Sequence, residues 1–414
     1  MSEIIKPKRK IIKSSSVMNE YMTDYFLDLD ESARTGKKKV AWCTSVGPAE
    51  LLHSLGFAVH YPENHGAMLG ASRMATDLIP IATKEGYSPD ICSYLTSDIG
   101  SYISGNTPLT RAFGIKQIPK PDVLIFDTNQ CRDVQDWMEW YARRLNVPIF
   151  GIYAAKYPDV ISDTHIKHLA VQTEELIEPL EKISGNKFDI DKLREILKLS
   201  RECTELWGQV LDTAKAIPSP LTFFDGTIQM GPAVVLRGTQ RAVDYYQLLL
   251  NELNQRIADG VGAIENEKYR LYWDGMPIWG RLRANSELFS NLNASVIAST
   301  YCNSWIFSSF DEKDPFYSMA KAYLEIFIVR SEESKVKYIE NMIERFKIDG
   351  VLYHDSKTCP ANSNCRYGMN KRIEKTTGIP SLVINGDLND MRCVSDEQMK
   401  TNVEAFIEQL EENK

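Results

Sequence analysis

Residues 351–365 read VLYHDSKTCPANSNC. Val351-Leu352-Tyr353 is an apolar run of the kind that forms a buried strand, and the pattern breaks at His354-Asp355-Ser356. Cys359 follows within one short loop, and a helical pattern begins near Asn362. The unit is therefore strand, loop and helix, with a thiol just past the strand's C-terminal end. In open α/β sheets that edge is where ligands bind.

The same unit recurs outward along the chain. Strands are expected at 40–43, 57–61, 122–127 and 148–153, separated by helices at 49–55, beyond the loop Pro62-Glu63-Asn64-His65-Gly66, at 93–103 and at 134–145. Residues 160–260 read as helices at 165–183, 189–216 and 241–259, with a Pro/Gly-bearing break at 218–232. Strands return at 269–273, 295–299, 350–353 and 381–385, with helices at 316–327, 334–346, 364–377 and 396–411. Strands alternating with helices over short loops imply parallel sheets with right-handed crossovers. The expected fold is α/β: a tail and helix at 1–37, a doubly wound first domain at 38–160, a helical linking region at 161–264 and a second α/β domain at 265–414.

Composition narrows the function. The 414 residues are 43% hydrophobic and 25% charged, with a net charge of −8, as in a soluble globular protein and unlike a nucleic-acid binder. The basic run Lys6-Pro7-Lys8-Arg9-Lys10 reads as a solvated tail; no apolar segment follows it to make a secretory signal. No apolar run approaches the roughly 18 residues of a membrane span. The cytoplasm is the expected location. Neither a G-x-x-x-x-G-K-[ST] loop nor a G-x-G-x-x-G turn occurs, so no nucleotide is expected on this chain.

Eight cysteines in such a chain are packing groups, catalytic thiols or metal ligands rather than a disulfide framework. Cys203 falls mid-helix and reads as packing; Cys365 reads equally as a buried helix thiol. Cys43, Cys92, Cys131, Cys302, Cys359 and Cys393 all fall on expected ligand-binding edges. Close C-x₂-C pairs are missing, which weakens a zinc reading. Dispersed thiolates on loops suit an iron–sulfur cluster. A Cys/His nucleophile, with His354 or His65 as partner, needs fewer placed thiols.

The chain also resembles a known family, the 2-hydroxyacyl-CoA dehydratase and benzoyl-CoA reductase subunits, from about residue 39 to the C-terminus. The resemblance rests on Tyr61-Pro62-Glu63-Asn64, on Gly86-Tyr87-Ser88-Pro89-Asp90-Ile91-Cys92-Ser93-Tyr94, on Pro121-Asp122-Val123-Leu124 and on Arg237-Gly238-Thr239. It continues through Glu267-Lys268-Tyr269-Arg270-Leu271, Ser356-Lys357-Thr358-Cys359 and Gly386-Asp387. It implies two Rossmann-like domains and a [4Fe–4S] cluster on Cys92, Cys131 and Cys359, charged with low-potential electrons by an ATP-hydrolysing iron–sulfur activator. Cys43, Cys302 and Cys393 depart from the dehydratase pattern. They make the chain similar to the double-cubane cluster proteins of the same superfamily, which are homodimers holding an [8Fe–9S] cluster and reducing small molecules such as acetylene.

The expectation is thus an oxygen-sensitive reductase with one cubane on Cys92, Cys131 and Cys359 and a second on Cys43, Cys302 and Cys393. His65, Glu63 and His354 are the candidate proton donors. The alternatives are a single-cluster subunit of a 2-hydroxyacyl-CoA dehydratase or benzoyl-CoA reductase, a non-catalytic electron carrier, and a zinc- or thiol-dependent protein without iron.

Overall fold

The structure is a computed structural model that describes residues 10–412. The basic run at 6–10 lies, apart from Lys10, outside the described residues.

Two four-stranded sheets organise the chain, and every strand pairing is parallel. The first holds β1 (Val40–Cys43), β2 (Ala58–His60), β3 (Val123–Asp127) and β4 (Ile149–Ile152) in the order β2-β1-β3-β4. The second holds β5 (Tyr269–Asp274), β6 (Ala294–Ser299), β7 (Gly350–Ser356) and β8 (Ser381–Gly386) in the order β6-β5-β7-β8. The two orders are the same. In each sheet the chain winds one way from its first strand and then reverses, so a switch point opens between β1 and β3 and between β5 and β7. β1, β3 and β5 are buried throughout. Helices cover both faces of such sheets, which is why their strands read as continuous apolar runs.

Three local expectations are corrected. β7 does not stop at Tyr353; it pairs with β8 through Ser356. Its polar end is satisfied internally: His354 Nδ1 bonds the Met276 carbonyl at 2.6 Å and Ser356 N–H donates to Ser363 Oγ at 2.9 Å. The helix expected from 364 begins only at Met369, after the 3₁₀ turns Pro360–Asn362 and Asn364–Tyr367. Pro62 to Gly66 is not a loop but the start of the helix Pro62–Ala71, with Pro62 in the first turn, where its missing N–H costs nothing.

The helical region also divides more finely than the sequence indicates. The expected helix 165–183 is two, Asp163–Glu174 and Ile177–Ser184. The break at 218–232 holds the short helices Phe223–Gln229 and Gly231–Val235. The long helices Ile190–Asp212 and Gln240–Ala258 pack on each other. Their buried residues Trp207 and Leu249 belong to one apolar core with Ala41 and Val123 of the first sheet and Leu271 and Leu352 of the second. No described helix is long and apolar enough to cross a membrane.

Candidate functional site

Cys131 follows β3 and Cys359 follows β7, so each lies at the switch point of its own sheet. Cys92 is the N-cap of the helix Ser93–Ser104. All three line one cavity of about 390 Å³. The same thiols also border a second, more open depression.

Each sulfur sits where a helical turn starts and points its free N–H groups outward. Leu95 N–H donates to the Cys92 sulfur, and Val134 and Asp133 N–H donate to Cys131. Asn362 reaches Cys359 with its backbone N–H and with its side-chain amide, the latter at 3.8 Å. Such donors favour anionic sulfur and tune metal-bound thiolates. Without a compensating cation, burial dominates. It pushes Cys92 well up, with further repulsion from Cys131 and Cys359, and lifts Cys131 to about 12 and Cys359 to about 11. A buried set of three thiols with N–H donors already in place fits a cationic iron–sulfur group. Among the described residues, no three His, Cys, Asp or Glu side chains group closely enough to share one metal ion. A multi-iron cluster takes each thiolate on a different iron and accepts wider spacing.

The other three edge cysteines do not line this cavity. Cys43 ends β1 fully buried in the main core. Cys302 is buried against Thr227, whose hydroxyl lies 3.7 Å from its sulfur, and borders a separate narrow pocket with Leu211 and Phe346. Cys393 closes the 3₁₀ turn Met391–Cys393, where burial and then Asp390 raise it to about 11. Cys365 packs beside Tyr353 and Ile373, and Cys203 lies in the main core.

Of the candidate proton donors, Glu63 faces the cavity. Its carboxylate accepts from Ser45 N–H at 2.8 Å, Ser45 Oγ at 3.0 Å and Gln130 Nε2 at 2.8 Å. Burial still raises it above the ordinary carboxyl value. His65 and His354 are not among the cavity-lining residues, which corrects the expectation that they stand beside the cluster. His65 is sealed between Asp98 on Nδ1 and Thr107 Oγ1 on Nε2, and Asp98 is further held by Trp137 Nε1 at 2.9 Å and Tyr141 OH at 2.7 Å. His354 is spent on the Met276 carbonyl, and burial lowers its pKa.

Asp387 belongs to the Gly386-Asp387 motif, but the sequence assigns it no role at the site. Asp387, fully buried just past β8, accepts from Ser93 Oγ at 2.6 Å, Thr358 N–H at 2.9 Å and Thr358 Oγ1 at 2.6 Å. Asn389 and Asp390 N–H also donate to it, at 3.0 and 2.8 Å. Ser93 follows Cys92 and Thr358 precedes Cys359, so this carboxylate ties two thiols across the lobes. The Gly386-Asp387 pair was visible, but its partners are almost 300 residues away in one case and not deducible from spacing. Tyr94, Trp279 and Tyr301 line the cavity, and the sequence assigns them no role either; Trp279 Nε1 bonds the Tyr94 hydroxyl, which in turn bonds Tyr301.

Two parallel sheets of the same order, each delivering a thiol from its switch point to a shared cavity, define a two-lobed α/β protein built around one three-thiol centre. The chain belongs to the family described as 2-hydroxyglutaryl-CoA dehydratase, D-component, which matches residues 44–410. It is 30% identical to the (R)-2-hydroxyisocaproyl-CoA dehydratase alpha subunit of Clostridioides difficile over 401 residues, 96% of each chain. It is also 30% identical to lactoyl-CoA dehydratase subunit alpha of Anaerotignum propionicum, over 93% of this chain and 94% of the relative. A benzoyl-CoA reductase subunit of Thauera aromatica is 30% identical over 99% of this chain and 98% of its own.

Proposed function

We propose that this chain is the cluster-bearing subunit of an acyl-CoA dehydratase or reductase, with a single [4Fe–4S] cluster held by Cys92, Cys131 and Cys359. The convergence of these thiols on one largely apolar cavity carries the reading. When bound, the cluster supplies a single electron at low potential beside the acyl group. Glu63 faces the same cavity, aimed by Ser45 and Gln130 and with its proton affinity raised by burial, and would exchange a proton with the substrate. Tyr94, Trp279 and Tyr301 wall the cavity and exclude water from the reacting group.

The electrons come from an ATP-hydrolysing iron–sulfur activator, which this chain would meet near the open depression lined by Arg132, Lys156, Tyr157 and Arg330. The relatives above are each named as one subunit of an enzyme, which supports a complex with a different second chain over a homodimer. The double-cubane reading, with acetylene as a substrate, needs three further thiolates at the cavity. Cys43 is closed in the core, Cys302 faces another pocket and Cys393, in the turn Met391–Cys393, does not line the cavity, so the single cluster is favoured. A plain electron carrier has no use for a cavity of this size beside its cluster.

Iron and sulfide analysis of anaerobically reconstituted protein tests this directly. About four irons per chain are expected, falling sharply in C92A, C131A and C359A and unchanged in C43A and C393A. About eight irons, lost in C43A, would restore the double cubane. A colourless protein would remove every cluster reading.

A further inference from the structure

Among the described residues that line the cavity, none is lysine, arginine or histidine. Its two acidic side chains are already engaged. Glu63 is held by Ser45 and Gln130, and Asp133 Oδ2 accepts from Cys92 N–H at 3.0 Å. The cations near the thiols lie instead in the open depression, which is lined by Arg132, Lys156, Arg330 and Lys335.

Met18, Met22, Met68, Met230 and Met276 line the cavity. Met22 and Met68 pack on the cluster of Phe26, Leu109 and Ile115. Met230 precedes Gly231, where a Cβ would come within 3.6 Å of Met22 Sδ, and Met22, Met68 and Met230 all line the cavity. Methionine is unbranched and polarizable, and it reshapes around irregular apolar groups at low cost. A ligand carboxylate placed there would be buried without a counter-ion, which is strongly unfavourable.

We infer that the acyl group bound here is uncharged and apolar, branched aliphatic or aromatic, and that the patch of Met22, Met68 and Met230 selects it against acyl groups bearing a second carboxylate. This rests on the acyl-CoA reading proposed above.

Calorimetric titration of the anaerobically reconstituted full-length chain with 4-methylpentanoyl-CoA, 3-phenylpropanoyl-CoA, glutaryl-CoA and free CoA tests it. Both apolar thioesters are expected to bind at least about tenfold more tightly than glutaryl-CoA. Met22→Lys and Met68→Lys place an ammonium at the patch and are expected to narrow that ratio. Glutaryl-CoA binding as tightly as the apolar thioesters overturns the selectivity and leaves the acyl-CoA reading standing. No thioester binding better than free CoA overturns both. An unchanged ratio in both lysine variants, each shown folded by circular dichroism, removes the methionine patch as its source.

Discussion

Asp127 ends β3 with its Oδ1 bonded to Asn129 N–H at 2.8 Å and its Oδ2 without a hydrogen-bond partner among the described residues. Burial pushes this carboxyl up to about 8. An unfolded aspartate titrates near ~3.9. Between those values the folded state binds more protons than the unfolded state, so stability falls as pH rises through the window. Asp127→Asn keeps the shape and cannot ionise. It is expected to match the wild type near pH 4 and to exceed it by on the order of 5 kcal/mol at pH 8, read from urea unfolding at each pH. An equal difference at both pH values would show that the carboxyl is not what titrates. Glu63 is raised by the same cause, and there the consequence is catalytic. Glu63→Gln is expected to lower kcat by about 10²–10⁴-fold and to abolish the loss of rate as pH rises through the elevated Glu63 pKa. A kcat–pH profile unchanged in shape would take the proton away from Glu63. In the sequence Glu63 and His65 are equal candidates, since both fall in the segment expected to be a loop after the second strand, two residues apart. In the helix Pro62–Ala71 that separation is roughly 200° of rotation, so one side chain meets the cavity and the other enters the sealed Asp98 network.

At the scale of elements, the helix Pro62–Ala71 and the segment after β8 bring the lobes together. A Cβ on Gly70 would collide with Asn389 Oδ1 and lie 2.8 Å from Trp279 Cβ, and the Gly66 carbonyl accepts from Asn389 Nδ2 at 2.8 Å. Asp387, two residues before Asn389, uses both oxygens on the turns carrying Cys92 and Cys359. Asp387→Asn would leave one acceptor oxygen where the wild type has two, and Asp387→Ala none. Iron retained after reconstitution should therefore fall from wild type to Asp387→Asn to Asp387→Ala, with a broadened EPR signal in the iron that remains. Full iron and an unaltered spectrum in Asp387→Ala would show that the cysteines do not depend on this carboxylate for their spacing. The strands of both sheets are legible in the sequence: β1, β3 and β5, buried throughout, leave apolar runs, and the half-buried edge strands β4 and β8 still stand out between polar loops. The short helices Phe223–Gln229 and Gly231–Val235 are not legible. Helices of that length do not form on propensity, and what holds them is tertiary burial that no local pattern records.

For the whole molecule, strand order decides which edge thiols converge, and strand order is invisible in the sequence. Cys131 and Cys359 follow β3 and β7, the inner strands at the two switch points. Cys302 and Cys393 follow β6 and β8, the opposite edges of the second sheet, and with neighbouring strands about 4.8 Å apart their thiols are carried to either side of the site. Cys43 belongs to β1 itself and is packed with the core. A chain of 414 residues with two sheets would ordinarily unfold as separable lobes. Here the two sheets and the helical region share one core. Trp207, fully buried in that core, joins the helical region to the second lobe: its Nε1 donates to the Cys302 carbonyl at 3.0 Å and its ring meets Tyr246 at 5.2 Å. Unfolding of the metal-free chain in urea is therefore expected to be one transition, with far-UV circular dichroism and tryptophan fluorescence superimposing. Trp207→Ala should move both signals together, at a cost of ~3–5 kcal/mol. Two resolved midpoints, with only one displaced by Trp207→Ala, would mean that the lobes hold separate cores. The spacing of Cys92, Cys131 and Cys359 would then be set by local clamps such as Asp387 alone.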